Sequence, residues 1–179
     1  MGQLFANVDI HYQYQVLLSK IVNDIKNSNS LEELRDFDAF FSKITKEIPQ
    51  TPNLLDCDPC MEEVAREKRS GYIEYKILLK FEGSKNLFYW RPSSCTLDMS
   101  GIYHAVSDIR DDSIVLRYEV EINHPNPNDL INQKVGEIKK LLKGNLLNLK
   151  SDLDRYFGNN LKELVIKQVS ARILELEIL

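Results

Sequence analysis

The sequence predicts an α+β fold. It has an N-terminal helical pair, an antiparallel sheet of about four strands, and a long C-terminal helical hairpin packed on one face. Three observations predict it. Apolar residues recur at three- and four-residue steps near both ends of the chain. The middle is rich in β-branched and aromatic residues, with period-two alternation. The central runs are joined by short connections, which favours antiparallel pairing. The 179 residues read as one domain, with a helical part over 1–48, a sheet over 71–122 and helices over 128–178.

Each element has its own signal. Ile10, Tyr14, Leu17, Ile21 and Ile25 share one face of a first helix. Asn27-Ser28-Asn29-Ser30 interrupts it. Ser30 then stands three residues before Glu33, the spacing of a capping box. A second helix follows with Leu34, Phe37, Phe41 and Ile44 as its stripe, and Pro49 and Pro52 end it. Pro49 to Pro59 reads as a loop. Met61 to Arg69 reads as a short helical turn ending at Ser70-Gly71. Tyr72 to Phe81 is the strongest strand. Leu87 to Trp90 is expected as a second strand, 102–109 as a third, and 114–121 as a fourth with clean alternation. His124-Pro125-Asn126-Pro127 stops the sheet. Asn128 is placed to cap a long helix, with Asp129 near its positive end. Ile131, Val135, Ile138, Leu142, Leu149, Leu153 and Tyr156 form its stripe. Gly158 suits a helix end in the left-handed conformation. Leu161, Leu164, Val165, Val169, Ile173 and Leu176 line a last helix.

Composition bounds the function. Lys+Arg 23 against Asp+Glu 27 gives a net charge of −4, so there is no global basic field to capture nucleic acid. No apolar run approaches the roughly 20 residues of a membrane span. The first residues lack the basic and apolar regions of a secretory signal. Gly2 invites a myristoylation reading, but Ala6 stands where that pattern wants Ser or Thr. Three cysteines, an odd count, argue against a disulfide framework. A cytoplasmic protein with reduced thiols is expected.

Four constellations could carry chemistry. Cys57-Asp58-Pro59-Cys60 has the spacing by which two thiolates reach one zinc ion, although no second close pair exists. The same pair could serve thiol chemistry, but no buried strand precedes it. Glu74-Tyr75-Lys76 has the Glu-x-Lys form of metal-dependent nucleases, without an upstream Asp in strand context. Trp90 and Arg91, with Lys139, Lys140 and Lys143 on the long helix, could stack bases and contact phosphates. Leu142, Leu149, Ile173 and Leu176 could pair helices between copies. His11, His104 and His124 are scattered. No nucleophile elbow, phosphate loop or dinucleotide fingerprint is present. No catalytic residue and no cofactor is therefore assigned.

The stretch from Phe81 to Ser94 has the form Phe-x-Gly, three residues, Leu-Phe, two residues, Arg-Pro-Ser. It resembles the N-terminal region of a set of uncharacterised bacterial proteins, over roughly residues 72 to 176. Some of those continue into a restriction-endonuclease-like domain. The resemblance implies a non-catalytic module that accompanies a nuclease or an antiviral defence system. Those relatives run on toward the nuclease where this sequence stops at Leu179. The expectation is a stand-alone version working in trans, or a piece of a longer chain. The expected function is thus interaction or sensing through a protein partner or self-association. The alternatives are a nucleic-acid-binding accessory protein, and a small metal- or thiol-dependent enzyme using Cys57 and Cys60.

Overall fold

Side-chain caps and proline set the helix boundaries. The computed structural model describes residues 4–5, 8–56, 60–69, 71–94 and 105–178; for 60–69 and 159 it describes the backbone alone. A two-residue strand β1 (Val8–Asp9) leads into α1 (Ile10–Asn27). Asp9 caps that helix by accepting from the His11 backbone N–H at 2.8 Å. Ser30 caps α2 (Leu31–Arg35), accepting from the Glu33 N–H at 3.1 Å, as the spacing predicts. The second predicted helix is cut in two. Asp36 leaves helical geometry at ψ 72° and its carboxylate caps α3 (Phe37–Thr45) through the Ala39 N–H. A cap residue inside a helical pattern competes for the backbone, and here it wins.

The sheet follows. Its strands are β2 (Asn53–Leu54), β3 (Cys60–Arg69), β4 (Tyr72–Glu82), β6 (Val106–Ile109) and β7 (Ser113–Glu121). Between β4 and β6 lie a 3₁₀ turn (Lys85–Tyr89) and β5 (Trp90–Arg91), which pairs in parallel with β1. The main sheet is antiparallel, in the order β3–β4–β7–β6, with β2 continuing the β3 edge along the end of β4. The number of strand positions is the one the sequence predicts, but two memberships change. Met61 to Arg69 is not a helical turn: it lies in β3, folded back on β4 through Gly71. Its Glu, Lys and Arg residues favour helix locally, and pairing with the strong β4 strand overrides that preference. The same charges suit an edge strand, where they discourage further pairing. Leu87 to Trp90 is not a sheet strand. Its buried Leu87 and Phe88 sit on the 3₁₀ turn, and Phe88 meets Phe81 edge-on at 4.8 Å. Of the predicted third strand, 106–109 is observed and 102–104 lie outside the described residues.

Register fixes which side chains share a face. Ile77 lies opposite Leu116, Leu79 opposite Ile114 and Ile73 opposite Val120. Alternation then puts Ile77, Leu79 and Phe81 with Ile114, Leu116 and Val120 on one face. The helix α4 (Pro127–Phe157) covers that face with Ile131, Val135, Ile138, Leu142, Leu146, Leu149 and Leu153. Pro127 occupies its first turn and Asn126, not Asn128, is the N-cap. Tyr118 faces the same core. Burial, then the nearby Glu137 carboxylate, pushes its phenol up to about 12. A raised phenol pKa means that the folded chain holds the proton longer than the unfolded chain. Stability from this group is therefore full below about pH 10 and is lost as pH rises toward 12. Denaturation followed from pH 8 to 11.5 should show this loss, and Tyr118→Phe should flatten it; equal slopes in the two proteins would contradict the assignment.

The predicted C-terminal hairpin takes the form of one long bent helix. After Phe157 the chain turns at Gly158 and continues as α5 (Asn159–Ile178). Gly158 is not left-handed; its φ is −76° and ψ −139°. It is needed instead because a Cβ there would stand 2.5 Å from the Asp154 carbonyl oxygen. The two arms serve different cores. α4 closes the sheet core, while α5 buries Leu161, Val165 and Val169 against Ile21, Ile25, Leu34, Phe40 and Ile44 of α1 to α3. Phe157 touches both cores, and Tyr14 clamps the bend by stacking on Tyr156 at 4.9 Å.

Candidate functional site

The helix α5 carries one buried apolar stripe and, on its outer side, exposed apolar residues set among charges. Its inner stripe of Leu161, Val165 and Val169 is buried. Along its outer face Ile166, Ser170, Leu174 and Ile178 fall at four-residue steps, which align them in one row. In that row Ile166 is 43% exposed, Leu174 61% and Ile178 85%. Charges along it are uneven: Lys162, Glu163 and Lys167 stand in the first half, and Arg172, Glu175 and Glu177 in the second. Glu177 accepts from Arg35 at 2.6 Å and Glu175 from Arg172 at 3.0 Å. Both acids are partly exposed, so these pairs hold them weakly.

A second feature is an open groove of about 830 Å³ between α4 and the segment that joins α3 to β2. Leu54, Leu146, Leu153 and Phe157 line it, with Leu147, Lys143 and Lys150 on the helix side. Lys143 donates to Asp56 at 2.6 Å across one end and holds that carboxyl below its usual range.

The Arg-Pro-Ser motif is docked on α4. Asp152 is buried, and its two oxygens accept from the Ser93 N–H at 2.7 Å and the Ser93 hydroxyl at 2.6 Å. One turn earlier Asn148 donates to the Ser94 carbonyl at 2.6 Å. The motif thus ends in a latch between the sheet connection and the long helix. Asp152→Ala leaves the Ser93 donors without their acceptor, and an unmade bond of this kind costs about 1–3 kcal/mol. Urea denaturation reads that loss; a variant as stable as the parent would contradict the latch.

The residues singled out by sequence fall in different places. Leu142 and Leu149 are wholly buried in the sheet core, so they hold the fold and do not meet a partner. Ile173 and Leu176 are half-buried against the helical core. The correction has a simple cause: the stripe that looked available for pairing between copies is used within the chain. Trp90 is half-buried and packs on the sheet core, while Arg91 is exposed on β5. Lys139 is half-buried, and Lys140 and Lys143 are exposed on α4. The Trp90 ring is therefore not a free stacking platform. Cys57 lies outside the described residues, and of Cys60 only the backbone at the start of β3 is described. Glu74 is buried on the sheet face opposite α4, 3.5 Å from Arg117. Register sets it beside Glu119 and sets Lys76 beside Arg117, so the Glu-x-Lys triplet belongs to a charged strand face. Among the described residues no group of three His, Cys, Asp or Glu side chains converges on a metal position, and no helix is long and apolar enough to cross a membrane.

Sequence reasoning missed the outer row of α5 and the Asp152 latch. Both leave a trace: Leu174 and Ile178 repeat at four residues beside the first stripe, and Asp152 interrupts the stripe between Leu149 and Leu153. No family model, curated protein or solved structure matches this chain.

Proposed function

We propose that the chain is a non-enzymatic interaction module of a bacterial defence or nuclease-associated system, working in the cytoplasm through protein–protein contacts. One observation carries this reading. The outer row of α5 leaves Ile166, Leu174 and Ile178 exposed while the opposite stripe of the same helix is buried. Exposed apolar rows of this kind mark contact surfaces. The Arg-Pro-Ser resemblance suggests the system, since some of the proteins it resembles continue into a restriction-endonuclease-like domain.

Co-expression with the products of the flanking genes, followed by size-exclusion chromatography, tests the reading. A nuclease or ATPase product that co-elutes with the chain is the expected result. Separate elution, together with salt-dependent DNA or RNA binding that weakens on Arg91→Ala or Lys140→Glu, would transfer the function to nucleic-acid binding.

A further inference from the structure

We propose that the groove beside α4 is a docking site for an acidic amphipathic segment of a partner protein, with its apolar side chains on the floor and its carboxylates against Lys143 and Lys150. This surface is separate from the outer row of α5 and goes beyond the contact assigned to that row.

Three observations carry it. The first is charge. The chain has a net charge of −4, yet from Ile138 to Ser151 it bears Lys139, Lys140, Lys143 and Lys150 and no acid. Lys143, Leu147 and Lys150 follow at four- and three-residue steps, which aligns them along the helix wall of the groove. Among the described residues Lys140 and Lys150 pair with no carboxylate. Lys143 is held by Asp56, but that carboxylate is 84% exposed, so the pair is weak and open to exchange. Asp154, the acid that lines the groove, stands one turn past Lys150 beside the bend. The partner's carboxylates therefore belong toward the Lys143 end. The second observation is the apolar floor. Buried Leu54, Leu146 and Leu153 and half-buried Phe157 form it, and Leu147 stands 67% exposed between the two lysines. Leu, Ile or Phe side chains of a peptide fill such a floor, whereas a phosphate backbone has nothing apolar to place there. From Lys143 to Phe157 the wall runs about 21 Å, room for about four helical turns of a partner. The third is that the opposite wall is already ordered. Pro49 and Pro52 restrict its backbone, and Gln50 is tied to Ser84 by hydrogen bonds of 3.0 and 3.1 Å. An ordered wall lowers the entropy cost of binding.

Selection from a displayed library of random peptides of about 16 residues, long enough to span the groove as a helix, tests this on the purified chain. The protein carrying both Lys143→Glu and Lys150→Glu is the counter-target. The expected result is enrichment of peptides that combine Asp or Glu with Leu, Ile or Phe. Selected peptides, synthesised and followed by fluorescence anisotropy, should bind less tightly as salt rises. Leu147→Glu and Lys150→Glu should each weaken them more than about tenfold, with the melting temperature of the parent kept. Exchanging the peptide's carboxylates for lysine one at a time should find one exchange that recovers binding to the Lys150→Glu protein. No enrichment over the counter-target, enrichment of peptides without acids, or binding unchanged by both substitutions overturns the proposal. So does single-stranded DNA that binds at the same lysines more tightly than any selected peptide, which would assign the groove to nucleic acid. Leu174→Glu, on α5, should leave peptide binding unchanged, so failure here and failure of the co-elution reading are distinguishable.

Discussion

Gly83→Ala should be among the most damaging single substitutions in the chain, lowering unfolding free energy by about 2–5 kcal/mol. Two terms add. Gly83 has φ +110°, in the region that a side chain disfavours by roughly 1–2 kcal/mol. A Cβ there would also stand 2.9 Å from both the Pro52 Cα and the Thr51 carbonyl oxygen. Those are backbone atoms, and overpacking against atoms that cannot swing away costs about 1–3 kcal/mol. The contact exists because the proline segment is tied to the turn after β4. Ser84 donates its N–H to the Gln50 carbonyl at 3.0 Å, and the Gln50 N–H returns to the Ser84 hydroxyl at 3.1 Å. Urea denaturation is the check; a midpoint within error of the parent would show that the segment yields freely.

Leu142→Ala should cost about 2–5 kcal/mol, the range for truncating a fully buried leucine. Leu142 lies at the centre of the α4 stripe against the sheet, with no exposed surface. Leu174→Ala should shift stability by no more than about 0.5 kcal/mol, since it lies on an open face. The contrast separates the two roles of apolar residues in the C-terminal arm. If both substitutions cost the same, the division into an inner stripe that folds and an outer row that docks is wrong.

Much of the architecture was legible. Helical periodicity placed Ile10, Ile21 and Ile25 on the buried face of α1, and Ile131 to Leu153 on the buried face of α4. Strand alternation placed Ile114, Leu116 and Val120 on the core face of β7. What failed did so where local preference and tertiary pairing disagree. Met61 to Arg69 carries helix-forming residues, but β4 offers an open edge and β3 takes it. Leu87 and Phe88 have strand character, but the turn after Gly83 curls them into the core before a ladder can form. The site was less legible than the fold. Periodicity identifies an apolar stripe without saying whether it meets the same chain or another. The stripe of Leu142 and Leu149 suits a partner helix as well as it suits a sheet, and here the sheet of the same chain covers it. The outer row of α5 was hidden behind a stronger stripe on the same helix. Ser93 and Ser94 bond to Asp152 and Asn148, which stand more than fifty positions away in sequence, beyond the reach of any local pattern.

The proposed role of the exposed row of Ile166, Leu174 and Ile178 on α5 as a contact surface is tested most directly by co-expression with the flanking gene products, comparing the parent with Leu174→Glu. The expected result is co-elution of one product with the parent and its loss with Leu174→Glu, while the melting temperature of the two proteins is the same. Equal co-elution with both proteins, or none with the parent, would contradict it.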